Sequence, residues 1–355
     1  MKLAYFLLCS VCCMPLLAMP VTPERSALLP LGTVLPLTSQ MQQVQQQLLQ
    51  QPDNISHRLH LAQLYLQGAR KPGFDNWFHQ AQALLRDVTP GAAERQLYAL
   101  LQADIAQQQH QFDAALQILQ QVLAREPAHL NANLMAARIY LAQDNTAAAQ
   151  QACARLWREL FLFSACSYEV AGRRGNVAQS YSALQQLYQQ QPSLTLALDI
   201  WLRGILAEQA EMLNKPQQAL QWLAPVLEHA PVSLWLKWAD LTLQHGDAQQ
   251  VYTKLAPLQQ RYGLSDGLLL RLALSERATK RGSQFIEQLQ PRIALRLARG
   301  DTDHAGDMVH YFLRVQPDAK AALHWAQLNY ASAKEPDDAR LLQLAEQALQ
   351  QAKEQ

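Results

Sequence analysis

The sequence predicts an all-α chain built as a solenoid of stacked antiparallel helix hairpins. Three observations carry this. The first is composition. Of 355 residues, 49% are hydrophobic, only 17% are charged and 13 are glycine. Glutamine fills the polar positions, as in QQVQQQLLQQ (42–51) and QQQHQ (107–111), and it supports helix without charge. The second is punctuation. From about residue 40 onward, apolar helical stretches of roughly 12–16 residues are broken by Pro, Gly, Asn or Asp, and no alternating strand pattern competes. The third is phase. Small residues recur in pairs twelve apart: Ala103 with Ala115, Ala137 with Ala149, Ala207 with Ala219. Two antiparallel helices approach closely only where small side chains face each other.

The chain opens with MKLAYFLLCSVCCMPLLAMP. Lys2, the apolar run 3–17 and the small Ala18 form a secretory signal pattern, residues 1–18. An uncleaved membrane anchor and a lipid-attached cysteine are the alternatives. The run is short for a bilayer span and carries Pro15. No small residue precedes Cys9, Cys12 or Cys13 in the way lipidation usually requires. Export to the periplasm places the mature chain in an oxidising compartment and leaves it two cysteines, Cys153 and Cys166. Residues 19–39 hold Pro20, Pro23, Pro30 and Pro36 and read as an extended arm or linker. Residues 40–355 then form the solenoid, with Ser39 as the expected cap of its first helix. No later run is long and apolar enough to span a membrane.

The small-residue pairs continue into helix stops. Ala115 leads to Pro127, Ser180 to Pro192, Ala219 to Pro231 and Ala305 to Pro317, each twelve residues on. YALLQADIAQQQHQFDAALQILQQVLAREP (98–127) is one whole unit, and the next begins at Leu130, so Ala103 to Ala137 is a 34-residue step. On these residues the chain resembles the tetratricopeptide repeat family. Ala103, Phe112, Ala115 and Pro127 match its pattern in one unit, and Ala137, Tyr140 and Ala149 in the next, where Phe161 replaces proline. Ala207, Ala219 and Pro231 match in a later unit, and Ala239 opens another with Val251 at its second small position. The resemblance implies a right-handed superhelix of about eight hairpins. Irregular units fall near 66–80, where GARKPGFDN enlarges the turn after Ala62 and Tyr65, and at 264–299. The competing reading is a helical bundle with alanines in phase by chance. Some 300 residues of short hairpins exceed what one compact core organises.

Catalytic signatures are missing: no phosphate-cradling Gly loop ending in Lys, no G-x-S-x-G elbow, no H-E-x-x-H helix. Net charge is +1 with no basic stripe, which argues against nucleic acid. Two clusters remain. GDTDHAGDMVH (300–310) offers Asp301, Asp303, His304, Asp307 and His310 as a metal shell, the basis of an alternative reading as an envelope metal-binding protein or enzyme. The competing reading makes Asp301 a helix cap with acids in the first turn. In SHRLH, His57 and His60 stand one turn apart without a third ligand. Neither is taken as a metal or cofactor site. Trp201, Trp222, Trp235 and Trp238 read mainly as packing residues, with groove anchors as the minority reading.

The resemblance implies that the first helix of each unit lines a concave face through its second, fifth, ninth and twelfth positions. Residue by residue these are Leu97, Leu100, Asp104 and Gln107; then Asn131, Leu134, Arg138 and Leu141; later Trp201, Gly204, Glu208 and Glu211; and Ser233, Leu236, Asp240 and Leu243. The partner-binding candidates are the polar and aromatic members: Asp104, Gln107, Asn131, Arg138, Trp201, Glu208, Glu211 and Asp240. Leu100, Leu134, Gly204 and Leu236 stand where members that clamp a terminal carboxylate carry polar groups, which argues against such a clamp. Cys153 and Cys166 fall on the adjoining helices of successive units, with the turn expected near Leu160. A bridge, buried free thiols and metal or redox chemistry are the alternatives; no C-x-x-C or third ligand supports the last. The expected function is recognition: a non-catalytic scaffold binding an envelope protein or peptide segment as an assembly or accessory factor.

Overall fold

The computed structural model describes residues 35–191 and 193–354; the signal, anchor and lipidation expectations, and most of the arm, lie outside them. Among the described residues the regular structure is helical throughout. Helix α1 (Ser39–Gln50) leads into eight hairpins. These are α2–α3 (Ile55–Ala69, Asn76–Leu85), α4–α5 (Arg95–Gln108, Phe112–Arg125), α6–α7 (Leu130–Ala142, Thr146–Ala154) and α8–α9 (Leu160–Arg173, Val177–Gln189). There follow α10–α11 (Leu196–Met212, Pro216–Leu223), α12–α13 (Val232–Gln244, Ala248–Tyr262), α14–α15 (Asp266–Ala278, Gln284–Arg299) and α16–α17 (Ala305–Arg314, Ala319–Ser332). Helix α18 (Pro336–Glu354) closes the row. The first helices of successive units touch, α2 with α4, α4 with α6, α6 with α8, α8 with α10, α12 with α14 and α14 with α16. They form the inner layer and the second helices the outer one. This is an all-α solenoid.

The small-residue pairs do what their spacing requires. Ala103, Ala115, Ala137, Ala149, Ala207, Ala219, Ala239 and Val251 are all buried. Turn chemistry repeats in the same phase. His110, Asp144, Gly175, Asn214, Gly246 and Lys280 have positive φ, at the same place in the inter-helix turns of the six units from α4–α5 to α14–α15. Each following N–H reaches back five residues, as Asn145 does to Tyr140 and Asp247 to Thr242. Side-chain caps start several helices: Asn145 accepts from the Ala148 N–H, and Asp247 from that of Gln250. For α1 the cap is Thr38, one residue earlier than expected, with its Oγ1 3.2 Å from the Met41 nitrogen. Residues 264–299 form the pair α14–α15. Gly267 to Glu276 of α14 are buried without exception, because this helix is covered on every side and so lacks a polar face.

The enlarged turn at 70–75 is a docking element. Its φ of +83° at Gly73 lets the backbone lie against the end of α13, where a Cβ would meet the Tyr262 Cβ at 2.5 Å. Phe74 stacks on Tyr262 with ring centroids 5.0 Å apart, and the Arg70 carbonyl accepts the Val232 N–H at 2.7 Å. Residues of the first hairpin therefore touch the sixth. A second such contact joins the Lys334 N–H to the Ala142 carbonyl at 2.6 Å.

Cys153 and Cys166 sit at disulfide distance, with Cα atoms 5.6 Å apart. That lies within the span a disulfide tolerates. The turn falls earlier than expected. α7 ends at Ala154 and the turn occupies 155–159. Cys153 is thus in the last turn of its helix while Cys166 is well inside α8. Trp157 in the turn and Leu160 at the start of α8 are 60% and 71% exposed, beside the buried Leu156.

Candidate functional site

The inner face is organised by one position. Asp104, Arg138, Glu169, Glu208 and Asp240 each lie six residues before the positive-φ residue of their unit's turn. Each first helix from α4 to α12 thus presents one ionisable side chain at the same place. Glu169 escaped the sequence reading because Tyr168 stands where its unit should carry a small residue. The phase of Gly175 is the signal that recovers it.

The candidates are engaged to different degrees. Asn131 and Arg138 are exposed, and Gln107 and Trp201 are half-buried. Asp104 accepts from the Arg70 Nη2 at 2.6 Å. Glu208 is 3.5 Å from Arg173. Glu211 accepts from Lys237 at 2.9 Å and from Arg340 at 2.8 Å. Asp240 is not an open groove acid: it takes two hydrogen bonds from Arg271, at 3.1 and 2.8 Å, beneath the surface. Trp235 and Trp238 are core residues packed edge to face, and Trp222 donates its indole N–H to the Tyr181 hydroxyl. The packing reading accounts for these three. A cavity of about 390 Å³ remains in the groove, lined by Glu208, Glu211, Lys237, Leu241, Glu335 and Asp337 among others.

Burial pushes the Glu169 carboxyl up to about 7; the charges of Glu208 and Glu335 add to this, and Arg138 and Arg173 oppose it. Glu208 and Glu335 are also raised, each by burial first. Unfolded, Glu169 titrates near its ordinary value of about 4.5. With the folded value raised, its stabilising contribution is complete below about 4.5 and is lost as pH rises from there through about 7. Between pH 6 and 8 the wild type should lose about 1 kcal/mol relative to the Glu169→Gln variant. Urea melts of both proteins at the two pH values measure this. His310, pressed down to about 4 by burial and Arg271, contributes the opposite slope to both proteins and cancels in the comparison. Parallel profiles would refute the acid cluster.

The residues at 301–310 do not converge. Asp301 accepts from the Asp303 N–H at 2.9 Å and lies 3.7 Å from Arg296. It closes a local turn and caps no helix, because His304 with φ 51° occupies the cap position of α16 and makes no side-chain cap. Asp307 pairs with Arg271, His304 packs against His110, and His310 is buried 3.8 Å from Asp240. Among the described residues no group of three or more His, Cys, Asp and Glu is arranged to hold a metal ion. The histidines of SHRLH have no third ligand beside them among the described residues. The backbone N–H of His57 donates to the Asn54 cap and the His60 ring lies against Gln40. Among the described residues no helix is long and apolar enough to cross a membrane.

Comparison with known proteins agrees with this architecture. The sequence model of the tetratricopeptide repeat matches residues 106–161. No curated protein matches the chain. Among solved structures, the APC/C hetero-tetramer Cut9–Hcn1 is similar in fold at 13% identity, covering 87% of this chain and 67% of its own, with a TM-score of 0.54. A tetratricopeptide repeat protein from Parabacteroides merdae is 14% identical over 66% of this chain and 90% of its own, with a TM-score of 0.47. The matched segment runs from the end of α4 into α8, where the small-residue pairs and positive-φ turns are most regular, and the same phase extends to α14. The chain carries tetratricopeptide repeat sequence at residues 106–161, set within an all-α solenoid of helix hairpins.

Proposed function

We propose that this protein is a non-catalytic interaction scaffold of the bacterial cell envelope, exported by its N-terminal signal. It binds a partner protein in the concave groove as an assembly or accessory factor. The observation that carries the reading is the repeated ionisable position on the inner helices, open to the groove from Asp104 through Arg138 and Glu169 to Glu208. A folded surface of this kind recognises an extended partner with little ordering cost. The cysteine pair at bonding distance suits an oxidising compartment. A photo-crosslinking residue placed at Gln107 or Asn131 in the groove, and at the exposed Gln121 on outer helix α5, tests this in cells. The groove positions should yield one discrete crosslinked envelope protein and Gln121 none. Equal yields from both faces, or none from the groove, would reject it.

A further inference from the structure

Part of the groove already holds a segment of the chain. Residues 333–340, AKEPDDAR, are the link 333–335 between α17 and α18 and the first turn of α18. The Lys334 N–H is bonded to Ala142 at the end of α6. The Arg173 Nη2 donates to the Leu141 and Lys334 carbonyls at 3.1 and 3.2 Å, clasping the two strands of backbone together. Lys237 donates to Asp337 at 2.7 Å and to Glu211 at 2.9 Å. Arg340 completes the square, donating to Glu211 at 2.8 Å and to Asp337 at 3.1 Å. Ala333 is buried in the apolar cluster of the α4–α8 units. The contacts of 334–340 reach inner helices α6, α8, α10 and α12, far away in sequence.

The two sides of this contact differ. The receptor side is fixed: the Lys237 and Glu211 side chains are 14% and 16% exposed. Beyond the buried Ala333 the inserted side is wetter, with Asp337 42% exposed and Lys334 open to solvent. Half-exposed ion pairs hold weakly and are screened by salt. A buried, ordered receptor paired with a hydrated, exchangeable segment is the arrangement of a site and its ligand. A core contact would be dry on both sides.

We propose that residues 333–340 are an intramolecular ligand that closes the groove over α8–α12. The protein partner that reaches this stretch presents the same chemistry: an acidic segment entering a helix through a proline, followed by one basic side chain. The second statement rests on the groove being the partner site.

The probe is a labelled peptide of residues 331–346, titrated against full-length chains. In D337K/R340E, Lys237 and Glu211 face like charges, so the segment is repelled. This variant should bind the peptide at least about tenfold more tightly than the wild type, a gain of roughly 1.4 kcal/mol. Adding E211K/K237E restores complementarity within the chain and should abolish the gain. Equal affinity for wild type and D337K/R340E, or no binding to either, overturns the proposal. A measurement on the wild type alone covers a variant that misfolds. Amide exchange at 333–340 should accelerate between about 0.1 and 1 M salt, while α16 stays protected. Equal protection of both would make the segment ordinary core and reject the idea. Peptide binding without groove crosslinks at Gln107 or Asn131 would keep the intramolecular ligand and remove the partner reading. The reverse pattern would remove the ligand alone.

Discussion

Replacing Arg271 with methionine should destabilise the solenoid by about 3–5 kcal/mol, seen as a lower urea midpoint at unchanged slope. The guanidinium is 4% exposed in the middle of α14. It holds Asp240 of α12 through two hydrogen bonds, Asp307 of α16 through a third, and the Gly267 carbonyl at 3.2 Å. Burial alone would push the Asp240 carboxyl up. Arg271 outweighs it, helped by His310 and Arg314, and the group lies well below the usual carboxylate range. Without the cation, two carboxylates are left in a dry place. His310 cannot replace it, being neutral at pH 7. Methionine keeps the volume, so the loss reports charge and hydrogen bonding, not a cavity. Adding D240N and D307N to R271M should return much of the stability, since neutral groups tolerate burial where unpaired ions do not. A loss below about 1 kcal/mol in R271M would mean that water or Arg314 already satisfies the acids.

Removing the bridge in C153A/C166A should cost about 3 kcal/mol, the loop-closure figure for a loop of this size. The cysteines are 13 residues apart in sequence. In the turn between them Leu156 is the one buried apolar anchor while Trp157 and Leu160 face solvent, so the covalent link adds a second restraint. Reduced wild type and C153A/C166A should melt together, below the oxidised protein. Coincident melting of oxidised and reduced wild type would show that the link adds nothing. The bridge joins the third and fourth hairpins, so its loss should be felt first as local opening between α7 and α8.

The repeat was legible because its causes are local. An alanine where two axes cross, a residue tolerant of positive φ six places past the inner ionisable position, and a proline after the second helix all act within one unit. Glu169 was lost where Tyr168 broke the pattern. The closure of the groove was not legible at all. Nothing near Lys334 in sequence points to Ala142, and GARKPGFDN marks an enlarged turn without indicating Val232 or Tyr262. Periodicity describes each unit against the next. It is silent about units that meet after the superhelix has turned. The acids of 301–310 look like a cluster for a related reason: adjacent in sequence, Asp301 faces Arg296 on α15 and Asp307 faces Arg271 on α14.

The hydrogen bond from Val232 to Arg70 changes how the molecule should come apart. Open repeat arrays unzip from their ends, because each unit answers only to its neighbours. Here the second helix is tied to the twelfth, and the sixth to the segment before the eighteenth. The terminal units are no longer free ends, so fraying at either one must break contacts made in the middle. Such a chain approaches a single cooperative transition, reached more slowly because its last contacts close very long loops.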